Sequence, residues 1–341
     1  MTISTTTLGG TASNVTVAKV AHGLMQMTWT PSPVSDEQAF EAIKAGIDAA
    51  PAGSKVVLNS GEFYGTNPRT SNLELVSRFF EKYPEYADRA FLSVKGGTTA
   101  TALEPDSSEA NLRRSVDTTL EKLRGKKRLD LFQCARVDHR VSIEETIGTL
   151  ATLVKEGKFD HIGMSECSAD TLRRGHAVHP ISIVEIEVSP WSYEEETKKV
   201  IATAEELGIA VAAYSPLGRG FLTGSIKKPE DLKENDLRRR LDRFKDENLR
   251  HNLALVEALT TIAEKKKVTP AQLSIAWVSA LGKHVLPLPG SSKASRTLEN
   301  LSAGDIQLSS AEFAEIQKVI DGHEVKGHRY FGEGINAHLW G

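Results

Sequence analysis

Short apolar runs alternate with longer amphipathic stretches along this chain of 341 residues. Eight of the runs are typical of buried strands, at residues 18–24, 56–58, 90–94, 129–133, 159–164, 181–185, 209–213 and 284–288. A stretch with helical periodicity follows each run, at residues 36–50, 71–82, 107–123, 142–155, 168–176, 193–207, 252–266 and 294–301. Near-continuous apolar strands of this kind predict a parallel sheet that is buried on both faces.

This alternation predicts an α/β fold built on parallel strands. An open, doubly wound sheet would produce the same order of elements. The count of eight strands, and the absence of a glycine-rich turn after the first, favour a closed (β/α)8 TIM barrel. We therefore expect residues 1–341 to form a single barrel domain. Its functional residues should lie at the carboxyl ends of the strands.

The stretch 227–250 carries many charges of both signs and lies between the seventh strand and its helix. We expect most of it to be a solvated loop, and a long loop at this end of a barrel can also act as a lid. The three arginines at 238–240 have acidic neighbours, so a nucleic-acid site is not expected there.

Composition narrows the class of protein further. The net charge of −3 gives no attraction to a polyanion, so nucleic acid is not an expected partner. No apolar run reaches the roughly 20 residues of a membrane helix, and the polar N-terminus lacks the apolar core of a signal peptide. Cys134 and Cys167 are too few for a disulfide framework. We expect a cytoplasmic protein, and the oligomeric state stays open.

Polar residues follow the second and third strands. The second is followed by NSGEFYG, which contains Asn59 and Tyr64, and the third ends in Lys95. A lysine beside a tyrosine suits proton donation, because the cation stabilises the phenolate and lowers the tyrosine pKa. The alternative is a lysine that extends to solvent and a tyrosine that packs at a loop edge. From spacing alone this alternative is favoured.

Two later strand ends are typical of phosphate-binding loops. Residues 214–224 form a glycine-rich segment in which successive backbone amides can hold a pyrophosphate. Residues 287–293 bring hydroxyls and a cation to the start of a helix that carries Arg296, a favourable place for a phosphate. His139, His176 and His179 lack metal-ligand spacing, so no metal is expected.

The motifs GEFYG, FLSVKGG, VKEGKFDHIGMSE, AAYSPLGRGFLTG and PLPGSSKASRTLENL together resemble the aldo-keto reductase family over nearly the whole chain. HGLMQMTW, LNSGEFYG, FQCARVD and GHAVHPISIVEIEVSPW are most similar to the fungal-type pyridoxal reductases of that family. The resemblance implies hydride transfer from NADPH to a small aldehyde, with pyridoxal as the leading candidate.

The resemblance also implies a catalytic tetrad of Asp, Tyr, Lys and His. Tyr64 and Lys95 occupy two of these positions, as proton donor and tuning cation. Asn59 stands in the Asp position and Ala135 in the His position. Lys95 is therefore expected to lack its carboxylate and to depress the pKa of Tyr64. Glu62 and Arg136 are nearby in sequence and are candidate substitutes.

The cofactor contacts that the resemblance implies fall into four groups. Those at the nicotinamide are Ser165, Glu166, Glu185 and Tyr214, with Glu166 and Glu185 standing where relatives often have Asn and Gln. Those at the pyrophosphate are Ser215, Leu217, Gly218 and Gly220. Those at the 2′-phosphate are Ser291, Ser292, Lys293 and Arg296, which favours NADPH over NADH. Those at the adenine are Glu299 and Asn300. Trp29 and Trp191 lie on the loops after the first and sixth strands, so we expect them to line the substrate pocket, the alternative being that they only cover the barrel mouth.

Two other functions stay open at this level. Barrels of this family also serve as cofactor-sensing regulatory subunits of ion channels, and the altered tetrad is compatible with such a binding module. A reductase of another aldehyde, such as a sugar or a xenobiotic, would carry the same motifs.

Overall fold

The computed structural model describes residues 3–330 and 339–341. The first element is a short antiparallel hairpin of strands β1 (Thr5–Thr7) and β2 (Thr16–Ala18). Eight parallel strands follow in consecutive order, namely β3 (His22–Gly23), β4 (Val56–Gly61), β5 (Ala90–Gly96), β6 (Leu131–Cys134), β7 (His161–Ser165), β8 (Ile183–Glu187), β9 (Ala210–Tyr214) and β10 (Val285–Leu288). The backbone amides of Ala21 and Gly23 donate to the carbonyls of Pro287 and Pro289 at 2.8 and 3.0 Å, which closes the sheet into a barrel.

Helices surround this barrel. They are α1 (Met25–Thr28), α2 (Asp36–Ala49), α3 (Ser71–Lys82), α4 (Glu109–Leu123), α5 (Ile143–Lys155), α6 (Ala169–Val178), α7 (Glu195–Leu207), α8 (Asp246–Lys266), α9 (Pro270–Ala280), α10 (Ala294–Ala303) and α11 (Ser310–Asp321). Local sequence sets several starts, because Ser35, Ser142 and Thr269 each accept a hydrogen bond from a backbone amide of the first turn. The predicted (β/α)8 TIM barrel is confirmed.

Helices α9 and α11 and the β1–β2 hairpin were not predicted. Helix α9 is buried over six consecutive residues, 273–278, so it has no polar stripe to reveal a helical period. The two hairpin strands have only three residues each and contain mostly threonine, which gives no apolar run to detect.

The hairpin closes the amino end of the barrel. Leu8, Ala12 and Val17 are buried against the first interior layer of the strands, which includes Val57, Phe91, Leu131, Ile183 and Leu286. The amides of Gly9 and Gly10 donate to the carbonyls of Ser182 and Gly208, at 3.2 and 3.1 Å. This end is therefore sealed by apolar packing and backbone hydrogen bonds.

The charged stretch 227–250 is more ordered than a solvated loop. It forms short 3₁₀ turns and buries Arg243 and Phe244, which was not predicted. The Arg243 guanidinium donates to the Trp191 carbonyl and the Ser192 hydroxyl, both at 2.7 Å. Phe244 packs edge-on against Trp191. These contacts fix the stretch to the loop after β8. No helix in the described part of the chain is long and apolar enough to cross a membrane.

Candidate active site

A buried ion pair lies at the carboxyl end of the barrel. Lys95, at the end of β5, pairs through its ammonium with the Glu185 carboxylate on β8, and both side chains are less than a tenth exposed. Tyr64, which follows β4, is also buried, and its hydroxyl lies within hydrogen-bond reach of Lys95. The predicted tyrosine and lysine are thus brought together, and the alternative of a solvent-directed lysine is wrong.

The expectation that Lys95 lacks a carboxylate is also wrong. Glu185 supplies the charge from the strand opposite Asn59, because β4 and β8 are four strands apart in an eight-stranded barrel. The amides of Asn59 and Gln133 both donate to Glu185 Oε2, at 2.8 and 2.7 Å. Both carboxylate oxygens are therefore engaged inside the barrel. Glu185 anchors Lys95 in this arrangement, and its expected contact with the nicotinamide amide is corrected accordingly.

Aromatic side chains hold Tyr64 in place. Its ring stacks on Trp29 at a centroid distance of 5.8 Å and meets Phe63 edge-on at 5.3 Å. Ala135 belongs to the same small cluster. Gly61 is required beneath the ring, because a Cβ at that position would lie 2.9 Å from it. Trp29 is half-buried at the site, as expected of a pocket wall.

Burial and charge act in opposite directions on the two titrating groups. Burial raises the pKa of the Tyr64 hydroxyl above its usual value, and the Lys95 charge offsets this only in part. The prediction of a depressed Tyr64 pKa is therefore wrong for the ligand-free protein. Burial lowers the pKa of Lys95, but the charge and hydrogen bond of Glu185 raise it above its usual value. Tyr64 is thus a neutral proton donor beside a permanent cation.

Glu62 does not substitute for the missing family residues. Its carboxylate accepts hydrogen bonds from Arg114 and Ser115 of α4, both at 2.5 Å. Its backbone amide donates to the Lys95 carbonyl at 2.8 Å. Glu62 therefore connects α4 to the end of β5 and leaves the Lys95 ammonium to Glu185.

The C-terminal segment contributes a second buried charge network that was not predicted. Arg329 Nη2 pairs with Glu166 Oε1 at 2.8 Å and with Glu187 Oε2 at 3.1 Å. Arg219 also reaches Glu187 Oε2, at 2.9 Å. Burial alone would raise the pKa of Glu166, but the charges of Arg329 and Arg136 hold it at about 2. Two fully buried carboxylates are thus neutralised by arginines from separate loops.

Tyr330 lies at the centre of the carboxyl end of the barrel. Its hydroxyl accepts from Arg136 Nη2 at 3.0 Å and is 2.9 Å from the hydroxyl of Tyr214. Tyr214 in turn donates to Glu166 Oε1 at 2.7 Å. The Arg219 guanidinium lies 4.8 Å from the centroid of the Tyr330 ring. Arg329 and Tyr330 therefore seal this end through polar and cation–π contacts.

Two buried polar atoms beside this network have no hydrogen-bond partner among the described residues. They are the Ser165 hydroxyl and Glu166 Oε2, at and just after the end of β7. A hydroxyl that can donate beside a carboxylate oxygen that can accept fits a carboxamide, which carries one acceptor oxygen and one NH₂. The Tyr214 ring lies close by, with the Lys95 ammonium 4.8 Å from its centroid. These residues fit the predicted nicotinamide site.

The glycine-rich loop after β9 adopts a left-handed backbone at its glycines. Gly218 and Gly220 have φ of 54° and 94°, in the region that favours glycine. Their amides donate to the carbonyls of Ser215 and Leu217, at 2.8 and 2.9 Å, so they hold the turn itself. A Cβ on Gly218 would lie 2.6 Å from Trp191 Nε1.

Trp191 is a packing residue. It is only 2% exposed and stacks on Phe221 at 4.5 Å. The ligand-free structure gives no support to the prediction that it lines a substrate pocket, because Phe221, Phe244 and Arg243 pack around its ring. Trp191 supports the glycine-rich loop from beneath.

The loop after β10 presents two free cations at the start of α10. Lys293 and Arg296 are exposed, and neither forms an ion pair or a side-chain hydrogen bond within the described residues. No acidic residue lies in the first turn of α10. A helix N-terminus with two unpaired cations fits a phosphate. Ser292 is half-buried beside them, and its carbonyl accepts from Gln38.

The other residues predicted in this region are engaged within the protein. Ser291 is buried, and its hydroxyl contacts His22 and Thr297 at 3.1 and 2.6 Å. The Glu299 carboxylate accepts from the Thr269 hydroxyl at 3.0 Å, and Asn300 is mostly buried. In this state the free groups of the predicted 2′-phosphate site are therefore the two cations.

Sequence reasoning missed Gln133, Glu187, Arg329 and Tyr330. A signal existed for Glu187, because a second acidic residue in the otherwise apolar strand IVEIE demands a buried partner. The signal for Gln133 was similar, since it is the polar residue of LFQC. Arg329 and Tyr330 follow the last helix in an irregular segment, where no pattern indicates a long-range contact. No cluster of candidate metal ligands occurs among the residues that the structure describes.

Comparison with known proteins assigns these features to a family. The family model named Aldo/keto reductase family matches residues 19–321. The chain is 40% identical over 319 residues to the "Probable pyridoxal reductase 2" of Schizosaccharomyces pombe, covering 92% of this chain and 95% of that protein. It is 36% identical over 339 residues to an aldo-keto reductase of the same yeast whose name includes NADP(+), covering 97% and 95%. A glycerol dehydrogenase from Gluconobacter oxydans shares the fold, with a TM-score of 0.80 at 22% identity and coverage of 95% and 97%.

Proposed function

Since the chain belongs to the aldo/keto reductase family, a family of oxidoreductases, we propose that it reduces a small aldehyde to the alcohol with NADPH. The observation that carries this proposal is the arrangement of Tyr64, Lys95 and Glu185 at the carboxyl end of the barrel. A buried neutral phenol beside a fixed cation is a proton donor of the kind that carbonyl reduction needs. When bound, NADPH supplies the hydride that the carbonyl carbon receives and is released as NADP⁺.

Tyr64 provides the proton in this proposal. As negative charge develops on the carbonyl oxygen, the O–H bond of Tyr64 breaks and its proton moves to that oxygen. The phenolate left behind is stabilised by the Lys95 ammonium, whose own charge Glu185 maintains. The phenolate then regains a proton from solvent, so that one hydride and one proton are consumed for each alcohol formed.

Residues in two places and one relative support NADPH as the cofactor. Ser165 and Glu166 would hold the carboxamide through their unpartnered atoms. Lys293 and Arg296 would pair with the 2′-phosphate that distinguishes NADPH from NADH. The relative whose name includes NADP(+) is consistent with this choice.

An aromatic aldehyde is the substrate class that we propose, with pyridoxal as the first to test. Trp29 and Phe63 pack against the Tyr64 ring, and Trp29 is half-buried, so an aromatic surface lies beside the proton donor against which a flat ring can pack. The pyridoxal reductase named among the relatives is 40% identical to this chain. A sugar aldehyde would instead require polar side chains beside Tyr64, and this wall offers aromatic rings.

Steady-state turnover tests the proposal. Purified protein is mixed with NADPH and pyridoxal, and the loss of absorbance of the reduced nicotinamide is followed. We expect sustained, protein-dependent oxidation of NADPH and formation of one alcohol for each NADPH consumed. NADH at the same concentration serves as the control and should be a poorer cofactor.

The second candidate function is a cofactor-sensing binding module, and the observation that favours it is the altered tetrad, in which Ala135 replaces histidine. Such a module would bind NADPH tightly and consume none of it with any aldehyde. Tight NADPH binding without turnover of pyridoxal, benzaldehyde or a sugar aldehyde would overturn the reductase proposal and favour the module.

A further inference from the structure

Arg136 is a cation at the carboxyl end of the barrel whose direct hydrogen-bond partners among the described residues are both uncharged. It follows β6 directly, and its side chain is half-buried. Its guanidinium donates to the Ala135 carbonyl at 2.7 Å and to the Tyr330 hydroxyl at 3.0 Å. No carboxylate among the described residues forms an ion pair with it, whereas Lys95 and Arg329 nearby are both paired. The Glu166 carboxylate acts on Arg136 only from beyond ion-pair distance, so the guanidinium can still pair directly with an anion of a ligand.

The location of Arg136 relates that anion to the reacting carbonyl. Its charge acts on both Tyr64 and Lys95, although burial of Tyr64 and the Glu185 charge beside Lys95 leave the pKa of each above its usual value. The preceding residue, Ala135, packs against Tyr64 and Phe63, and its methyl group adds no polar side chain beside the phenol. An anionic oxygen bound by Arg136 would therefore lie close to the carbonyl oxygen that Tyr64 protonates.

Tyr330 shows which kind of group can bind beside the Arg136 guanidinium. In the ligand-free protein its hydroxyl accepts a hydrogen bond from Arg136. The centroid of its ring lies 5.7 Å from the Arg136 guanidinium carbon and 4.8 Å from that of Arg219. A hydroxylated aromatic ring thus already fits beside these cations. A ligand with the same chemistry could replace it without leaving Arg136 unbonded.

We propose that Arg136 determines specificity for aromatic aldehydes that carry an ionisable hydroxyl on the ring carbon next to the aldehyde. The ionised hydroxyl replaces the Tyr330 hydroxyl at Arg136, while the carbonyl oxygen faces Tyr64. This inference rests on the proposed function and names its substrate class. A hydroxyl in the adjacent position is required because it places its oxygen beside the carbonyl oxygen. Pyridoxal has this arrangement.

A matched series of benzaldehydes tests the inference. The unmodified protein with NADPH should reduce 2-hydroxybenzaldehyde with a kcat/KM at least about tenfold above that for 2-methoxybenzaldehyde, which has no proton to lose. It should also exceed that for 4-hydroxybenzaldehyde, whose hydroxyl is remote from the carbonyl. This part of the test needs no variant and therefore does not depend on how a variant folds.

Arg136→Met provides the second part. We expect kcat/KM for 2-hydroxybenzaldehyde to fall by about 10- to 100-fold, and that for 2-methoxybenzaldehyde to change by less than about threefold. Arg136→Lys should restore part of the difference, since it keeps the charge and loses the fork geometry. Melting temperature and NADPH affinity are measured for each variant, so that a general loss of structure is recognised.

Three outcomes would overturn the inference. Equal reduction of the 2-hydroxy and 2-methoxy aldehydes by the unmodified protein removes the specificity, while turnover of benzaldehyde keeps the reductase function. An equal fall for both substrates in Arg136→Met assigns Arg136 to the carbonyl oxygen itself. Absence of NADPH oxidation with every aldehyde overturns both the inference and the proposed function.

Discussion

The two ends of the barrel are both closed, by opposite kinds of contact. The amino end is sealed by the β1–β2 hairpin, whose Leu8 and Val17 pack on apolar strand residues. The carboxyl end is sealed by Arg329 and Tyr330, which bind through ion pairs and hydroxyl groups. An apolar seal is costly to open, because nothing in water compensates the exposed surface. A polar seal can be exchanged, because a ligand or water can replace each hydrogen bond.

This difference separates stability from function. At the amino end the buried apolar side chains of the hairpin and the strands pack against one another. At the carboxyl end the proton donor, two ion-pair networks and two unpartnered polar atoms occur together. Changes at the carboxyl end should therefore alter turnover or pH dependence, and changes at the amino end should alter stability alone.

The strongest test of the separation is Tyr64→Phe, which keeps the ring and removes the hydroxyl. We expect kcat for pyridoxal to fall by roughly 10²- to 10⁴-fold, the usual contribution of a positioned general acid. NADPH affinity and melting temperature should stay near those of the parent. Tyr83→Phe, at a surface cluster of aromatic rings on the outside of the barrel, is the matched control and should leave kcat unchanged. A parental rate in Tyr64→Phe would remove this residue from the mechanism.

The next largest effect is expected from Glu185, the carboxylate that pairs with Lys95 from β8, whereas the family's aspartate position on β4 holds Asn59. Glu185→Gln leaves the buried Lys95 ammonium without its counter-ion and should lower the free energy of unfolding by about 3–5 kcal/mol. Asn59→Asp alone places a second carboxylate in contact with Glu185 Oε2, where the Asn59 amide now lies at 2.8 Å. Like charges at that distance repel, so this variant should be destabilised as well.

Combining the two substitutions should reverse much of the loss. Asn59→Asp with Glu185→Gln again places one carboxylate and one amide at the centre of the barrel, but the carboxylate now comes from β4 and the amide from β8. Urea unfolding of the parent, both single variants and the double variant gives the coupling energy between the positions. Additive losses in the double variant would show that Lys95 requires a carboxylate from β8 and cannot use one from β4.

The polar seal can be tested through its pH dependence. The folded pKa of Glu166 is about 2 and the usual value is 4.5, so its charge stabilises the fold fully above pH 4.5. That contribution is lost as the pH falls from 4.5 towards 2. Arg329→Met removes the main counter-ion and should cost about 3 kcal/mol at pH 7. The difference from the parent should shrink at pH 4 and below, and a constant difference across this range would contradict the assignment.

A substitution that creates a cavity in the apolar seal should lower stability and should leave turnover unchanged. Leu8→Ala removes a buried side chain from the barrel floor and should lower the free energy of unfolding by about 2–3 kcal/mol. The kcat and KM of the folded protein should match those of the parent. Leu103→Ala, at a leucine that is 52% exposed, is the control and should stay within about 0.5 kcal/mol. A fall in kcat with Leu8→Ala would show that the two ends are coupled.

The barrel could be predicted from the sequence because its strands are buried on both faces. Each apolar run, such as 90–94, had to form a strand at the barrel wall or lose its burial. The elements that were missed carry no such constraint. Helix α9 is buried all round, and the threonine strands of the hairpin depend on a floor that only the folded barrel provides.

The residues of the site that lie in local sequence motifs could be predicted. Tyr64 and Lys95 follow neighbouring strands and had to meet at one end of a parallel barrel. The partner of Lys95 was not predictable in this way, because Glu185 lies 90 residues later and faces it across the interior. Arg329 and Tyr330 reach the site from an irregular segment, so their contacts depend on tertiary packing alone.

The smallest expected effect lies outside both seals, on the exposed start of α10. Arg296→Ala should weaken NADPH binding by about 1–2 kcal/mol, because one charged hydrogen bond to the 2′-phosphate is lost at a site open to solvent. NADH lacks that phosphate, so its affinity should hardly change. Fluorescence titration with both cofactors measures the two effects on the same protein. Lys318→Ala, at an exposed lysine of α11, is the control for a general change in net charge.

Since the interaction is exposed, added salt should reduce the NADPH preference of the parent towards that of Arg296→Ala. Equal affinity of the parent for NADPH and NADH at low salt would contradict a 2′-phosphate site here, whereas the chemistry assigned to Tyr64 would be unaffected.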